Sequence, residues 1–74
     1  MTTKTKVAFS RLSRDVQEKD LERFLSRYTD AIVKITLYNG YAIVEFYQQY
    51  FAEEVVSLYD GEELLGKPVM LSVF

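Results

Sequence analysis

Apolar and polar residues alternate with a period of two in four stretches of this chain and recur at three- and four-residue spacing in two others. Alternation marks half-buried strands, and the wider spacing marks helices with one apolar face. From Lys4 to Leu12, Val7, Phe9 and then Leu12 are apolar, while Lys4, Lys6, Ala8 and Ser10 share the opposite parity. Asp15-Val16-Gln17-Glu18 has the acid and the glutamate of a capping box. The helix it opens runs to about Tyr28, with Leu21, Phe24, Leu25 and Tyr28 on one face, and Thr29-Asp30 breaks the pattern. A second strand, Ala31 to Tyr38, is expected to turn Val33, Ile35 and Leu37 inward. The third, after Asn39-Gly40, turns Ala42, Val44 and Phe46 inward and Tyr41, Ile43 and Glu45 outward. Gln49 to Tyr59 reads as a second helix with Ala52, Val55, Val56 and Tyr59 as its buried stripe, stopped at Asp60-Gly61. After the turn Leu65-Gly66-Lys67-Pro68, a last strand alternates Val69, Leu71 and Val73 with Met70, Ser72 and Phe74.

The resulting order is βαββαβ. It predicts an α+β fold, the ferredoxin-like sandwich, in which a four-stranded antiparallel sheet carries two helices on one face. Asn39-Gly40 is expected to supply the two positive-φ positions of a type I′ turn, and so short a connection fixes the register of the strands it joins. There is no internal repeat, and residues 1–74 read as a single domain.

Composition narrows the function classes. At 49% hydrophobic and 15% aromatic, the chain is too apolar to be a disordered segment. It has no Cys and no His, so thiolate metal sites, disulfides and the usual proton shuttle at neutral pH are absent. The polar start Met1-Thr2-Thr3-Lys4-Thr5-Lys6 is followed by no apolar run of signal-peptide or membrane-spanning character, so a soluble intracellular protein is expected. Glu53-Glu54 and Asp60, Glu62 and Glu63 lack the loop spacing of a cation site and read as a solvated acidic face. No nucleophile and base are paired, and neither an enzyme nor a cofactor is expected.

The net charge of −2 weighs against a uniformly basic nucleic-acid binder, but its distribution matters more. Residues 1–34 hold eight Lys and Arg against five acids, whereas residues 35–74 hold one Lys against six. A local basic patch on an acidic molecule follows.

Asn39-Gly40-Tyr41-Ala42-Ile43-Val44-Glu45-Phe46 resembles the RNP1 octamer of an RNA-recognition motif, and Val7-Ala8-Phe9-Ser10-Arg11-Leu12 resembles its RNP2 hexamer. Asp60-Gly61 followed by Leu64-Leu65-Gly66-Lys67-Pro68-Val69 is similar to the family's Asn-Gly and Gly-Arg stretch before the last strand. Arg11-Leu12-Ser13 and the tight Asn39-Gly40-Tyr41 hairpin are similar to the first such domain of serine/arginine-rich splicing factors. Asp15-Val16-Gln17-Glu18 is similar to a segment of the fungal SR-like shuttling mRNA-binding proteins. The resemblance implies a nuclear module in pre-mRNA splicing or mRNA export, shuttling to the cytoplasm in the fungal branch.

It also implies which residues meet single-stranded RNA: Lys4, Lys6, Ala8, Ser10, Arg11, Lys34, Tyr38, Tyr41, Ile43 and Phe74. Two of these depart from the family. Ala8 and Ile43 stand where stacking aromatics are usual, leaving Tyr41 as the remaining one of three. Each base stack is worth about 1–3 kcal/mol, so losing two weakens binding by roughly 2–6 kcal/mol unless something compensates. Tyr38 and Phe74 offer replacement rings. Lys4, Lys6, Arg11, Arg14 and Lys34 are placed to meet phosphates, with Glu45 as the opposing charge. An alternative use of the domain is protein interaction, through the apolar sheet face or through Tyr47, Tyr50 and Phe51 at the start of the second helix. The bland reading of those aromatics is that Phe51 seals the core's edge and the tyrosines lie on the surface. The chain is expected to be a monomer with no membrane partner.

Overall fold

A computed structural model describes residues 4–74, so the reading of the first three residues lies outside it. The chain forms β1 (Lys6–Ser10), α1 (Glu18–Phe24), a 3₁₀ stretch (Ser26–Ala31), β2 (Ile32–Leu37), β3 (Ala42–Phe46), α2 (Gln49–Tyr59), a small hairpin of β4 (Glu63–Leu64) and β5 (Lys67–Pro68), and β6 (Met70–Val73). Four strands make one antiparallel sheet in the order β2-β3-β1-β6. Both helices cover one face, and the ferredoxin-like order expected from the sequence is the order found.

The core lies between that face and the helices. Val7 and Phe9 of β1, Ala42, Val44 and Phe46 of β3, and Val69 and Leu71 at the last strand meet Leu21 and Leu25 from the first helical segment and Ala52 and Val55 from α2. All are apolar, and among the described residues no buried polar side-chain atom lacks a partner. The parity expected for β1, β3 and β6 therefore holds.

Four local expectations are corrected. The capping box sits two residues later than read: Gln17 is the N-cap, and the Asp20 carboxylate accepts its backbone N–H at 2.8 Å. Val16 is buried ahead of the helix, and the Ser13 carbonyl and hydroxyl accept the N–H groups of Val16 and Asp15, so a turn occupies the predicted start. At the other end α1 stops at Phe24, and the chain continues to Ala31 as a 3₁₀ stretch that still buries Tyr28. In β2, Val33 faces solvent at 45% exposure. A bulge between Ile32 and Lys34 brings Ile32 opposite Phe46 while keeping Ile35 opposite Val44 and Leu37 opposite Ala42, so Ile32 replaces Val33 on the core side.

The fourth correction is the hairpin turn. Only Gly40 has a positive φ, at 88°, and Asn39 does not, which is the pattern of a type II rather than a type I′ turn. The Gly40 carbonyl accepts the Leu12 N–H at 3.0 Å, which ties the turn to the exit of β1. Arg11, at φ 60°, makes the bend that lets Leu12 reach both this bond and the core.

The edge of β6 is covered by the segment after α2. The Asp60 carboxylate accepts the Leu71 N–H at 2.8 Å, the Gly61 N–H donates to the Val69 carbonyl, and the Val69 N–H donates to the Glu62 carbonyl. These bonds satisfy groups that an open edge would expose. Asp60→Ala leaves the part-buried Leu71 N–H unpaired and is expected to cost about 1–3 kcal/mol of unfolding free energy. Chemical denaturation checks this, and unchanged stability would mean that water replaces the carboxylate without loss.

Candidate nucleic-acid interface

The sheet face away from the helices is built in three cross-strand rows. Each row follows from the register, because residues directly opposite one another on antiparallel strands put their side chains side by side. In the first, Lys34 lies opposite Glu45, Glu45 opposite Lys6, and Lys6 exchanges backbone hydrogen bonds with Phe74 at 2.8 and 3.2 Å. The second is Thr36, Ile43, Ala8 and Ser72. At the third, the Tyr38 N–H donates to the Tyr41 carbonyl across the hairpin, and Ser10 lies opposite Met70 on the neighbouring pair of strands.

Side-chain size varies across these rows in a way that shapes the surface. The middle row holds a threonine, an isoleucine, an alanine and a serine, all shorter than the lysines and rings on either side. The result is a trough of about 230 Å³ with Ile43 and Thr36 on its floor, Tyr38 and Phe74 beside it, and Lys6, Lys34 and Glu45 at one end. The departure at Ile43 thus has a geometric consequence: an isoleucine lines the trough where the sequence resemblance led to the expectation of a stacking ring.

Tyr38 and Tyr41 stack on each other, with ring centroids 4.6 Å apart and planes 12° from parallel. They remain 47% and 45% exposed, so they form one two-ring platform rather than two independent ones. Phe74 and Met70, each 49% exposed, continue the apolar surface at the β6 side.

Of the residues expected to meet RNA, Lys6, Ala8, Ser10, Lys34, Tyr38, Tyr41, Ile43 and Phe74 belong to this one face. Lys4 is exposed but precedes β1, which starts at Lys6 rather than Lys4. Arg11 is exposed just past the strand, on the bend beside the Gly40 turn. Thr36 and Ser72 share the central row and were not singled out from the sequence. Their parity with Lys34 and Met70 was the signal available.

The aromatics of α2 lie on the helix-covered side of the sheet. Phe51 is half-buried, edge-on to Tyr28 at 6.4 Å, and does seal the core's margin. Tyr50 meets Phe51 at 5.4 Å and, like Tyr47, is about two-thirds exposed. A second groove of about 400 Å³ runs here, between Tyr47 and Phe51 on one side and Tyr28 on the other, with Arg27 and Asp30 at its rim. Burial pushes the Tyr28 hydroxyl above its ordinary value of 10.0, and the Glu54 carboxylate adds to the rise. The folded state therefore holds this proton more tightly than the unfolded chain does. Its stabilising contribution is complete below the unfolded value and is lost as pH rises through and beyond it. Thermal unfolding should show a steeper loss of stability as pH rises above about 10 in the wild type than in Tyr28→Phe. Equal losses would place the alkaline sensitivity elsewhere.

The family model described as the RNA recognition motif matches residues 9–70. Human serine/arginine-rich splicing factor 4 is 36% identical over 66 residues, covering 89% of this chain and 13% of that protein. Serine-arginine protein 55 of Drosophila melanogaster is 41% identical over 59 residues, 76% of this chain and 15% of that protein. The chain thus corresponds to a small part of either relative. Among solved structures, the Nab3 RRM, described in connection with cis-element recognition of non-polyadenylated RNAs, superimposes with a TM-score of 0.84 at 22% identity, covering 95% of this chain and 93% of that one. The RNA15 RRM gives a TM-score of 0.84 at 15% identity, covering 96% and 90%.

Proposed function

Because the chain belongs to the RNA-recognition-motif family, we propose that its open sheet face holds short single-stranded RNA, in a nuclear step of pre-mRNA splicing or mRNA processing and export. The observation that carries this reading is the convergence of the Tyr38–Tyr41 platform, the trough beside it and Lys6 and Lys34 on one face. Unstacked bases are held by aromatic faces and by hydrogen bonds to their edges, and phosphates by nearby cations. Tyr41 takes a base on the side Tyr38 leaves free. Lys6, Lys34, Arg11 and Lys4 serve phosphates, Ser10 a base edge or ribose, and Ala8, Ile43 and Phe74 give apolar contact.

Binding is weak for two reasons. Two stacking rings are replaced by short side chains, and few cations reach the face. Neutralising about two to four phosphates gives a log–log salt slope of about −1.4 to about −2.8 for a single strand. A ¹⁵N–¹H titration with a mixed-sequence RNA pentamer at two salt concentrations tests the reading. Shifts at Lys6, Ala8, Tyr41 and Ile43 that shrink modestly with salt are expected. A silent sheet face would overturn the assignment.

A second reading is favoured by the groove at Tyr47 and Phe51, namely docking of a protein partner on the helix side. Loss of partner-dependent shifts in Tyr47→Ala, with RNA shifts retained, is its expected signature. In isolation the domain is a monomer, which the concentration dependence of its mass in solution scattering checks.

A further inference from the structure

Glu45 is the anomaly of the proposed face. A carboxylate on a surface that receives a polyanion repels its ligand unless it accepts hydrogen bonds from it. The register puts Glu45 directly between Lys34 and Lys6, and all three close one end of the trough whose floor is Ile43. The trough is smaller than the roughly 300–1,000 Å³ that encloses drug-sized ligands, so it suits a base rather than a whole nucleotide. Resting on the RNA-binding reading above, we propose that this end of the trough is a guanine-selective subsite, in which the Glu45 carboxylate reads the Watson–Crick edge of a single base.

The selectivity follows from the donor pattern. An ionised carboxylate only accepts, and its two oxygens suit two parallel donors. Guanine presents such a pair, N1–H beside the 2-amino group, with O6 next to them as an acceptor for a lysine. Adenine and cytosine each set one amino donor beside a ring nitrogen that carries a lone pair. Uracil sets N3–H between two carbonyls. In those three bases the second carboxylate oxygen faces a lone pair, which costs affinity. Lys6 and Lys34 flank Glu45, so either ammonium can reach O6 or an adjoining phosphate. The base lies over Ile43, between the rings of Tyr38 and Phe74.

Four RNA pentamers, UUGUU, UUAUU, UUUUU and UUIUU with inosine at the centre, test this by NMR titration of the wild type and of Glu45→Gln. Inosine keeps N1–H and O6 but lacks the 2-amino group. In the wild type the guanine pentamer should bind about tenfold more tightly than the adenine pentamer, with inosine between them. In Glu45→Gln, which keeps the size of the side chain, the ratio of guanine to adenine affinity should fall close to one. Equal affinity for guanine and adenine in the wild type would overturn the subsite. So would a guanine preference that survives in Glu45→Gln, or a uniform tightening of all four pentamers in that variant, which would mark Glu45 as a sheet-pairing charge that merely repels RNA. If binding persists in these cases, the RNA-binding reading stands without the subsite. If no pentamer shifts the sheet face, both fall together.

Discussion

Tyr41→Ala is expected to remove most detectable RNA binding while leaving the domain folded. The ring is half of the Tyr38–Tyr41 stack, and its outer side is the part of that platform a base can occupy. Truncation of one base-stacking aromatic costs about 1–3 kcal/mol, or roughly five- to 150-fold in dissociation constant. In a domain with aromatics at three stacking positions, such a loss is shared. Here Ala8 and Ile43 leave little in reserve, so affinity should fall toward the upper end and below the useful range of a titration. Stability should barely respond, because the side chain is 45% exposed and what is lost is one cross-strand pair worth about 0.2–1 kcal/mol. The check is a pentamer titration run beside thermal unfolding of the same samples. Affinity within twofold of wild type would remove Tyr41 from the site and transfer the platform's role to Tyr38 or Phe74.

Phe9→Ala is expected to have the largest effect on the fold. Phe9 is fully buried on β1, which lies between β3 and β6, and its ring meets Phe24 edge-on at 6.4 Å. Removing such a ring loses its transfer free energy and leaves a cavity that central strands do not collapse to fill, about 3–5 kcal/mol in all. Small domains have about 5–15 kcal/mol in total, and a chain this short has little surplus core. The thermal midpoint should drop by about 4–8 °C per kcal/mol lost. Phe9→Leu, which retains most of the volume, should lose roughly half as much or less. A midpoint for Phe9→Ala within a few degrees of wild type would mean that the neighbouring side chains close the gap. The variant also separates the two faces: Phe9 points to the core and Ala8 to the open sheet face, so loss of RNA binding in Phe9→Ala should track unfolding, whereas loss in Tyr41→Ala should not.

Much of the candidate face was legible because strand parity is a local property. Lys6, Ala8 and Ser10, or Tyr41, Ile43 and Glu45, share a side wherever the strand carries no bulge, as in β1 and β3. The RNP-like segments then named that side as the functional one. The stack between Tyr38 and Tyr41 was less accessible, since parity places two rings in one row but does not decide whether they lie flat against each other. The trough was less accessible still. It is a difference in height between three rows, and the rows exist only once four strands are in register.

Residues alone determined the βαββαβ order of the main strands and helices, the inward faces of β1, β3, α2 and β6, and the acidic and basic halves of the chain, since each depends on the spacing of neighbours along the backbone; the β4–β5 hairpin stands where a simple turn over residues 65–68 was expected. Tertiary structure decided the rest. Val33 and Ile32 are both β-branched and apolar, and the choice between them was made by the pairing of Ile32 with Phe46 across the bulge. Asn39 permits a positive φ, yet the turn adopts it only at Gly40, whose carbonyl is held by Leu12 from the exit of β1. The first helix could have continued past Phe24 on spacing alone, but burying Tyr28 and Ala31 and delivering Ile32 to the sheet required the tighter 3₁₀ path. In each case two local conformations differ by little in free energy, and contacts between residues distant in sequence select one of them.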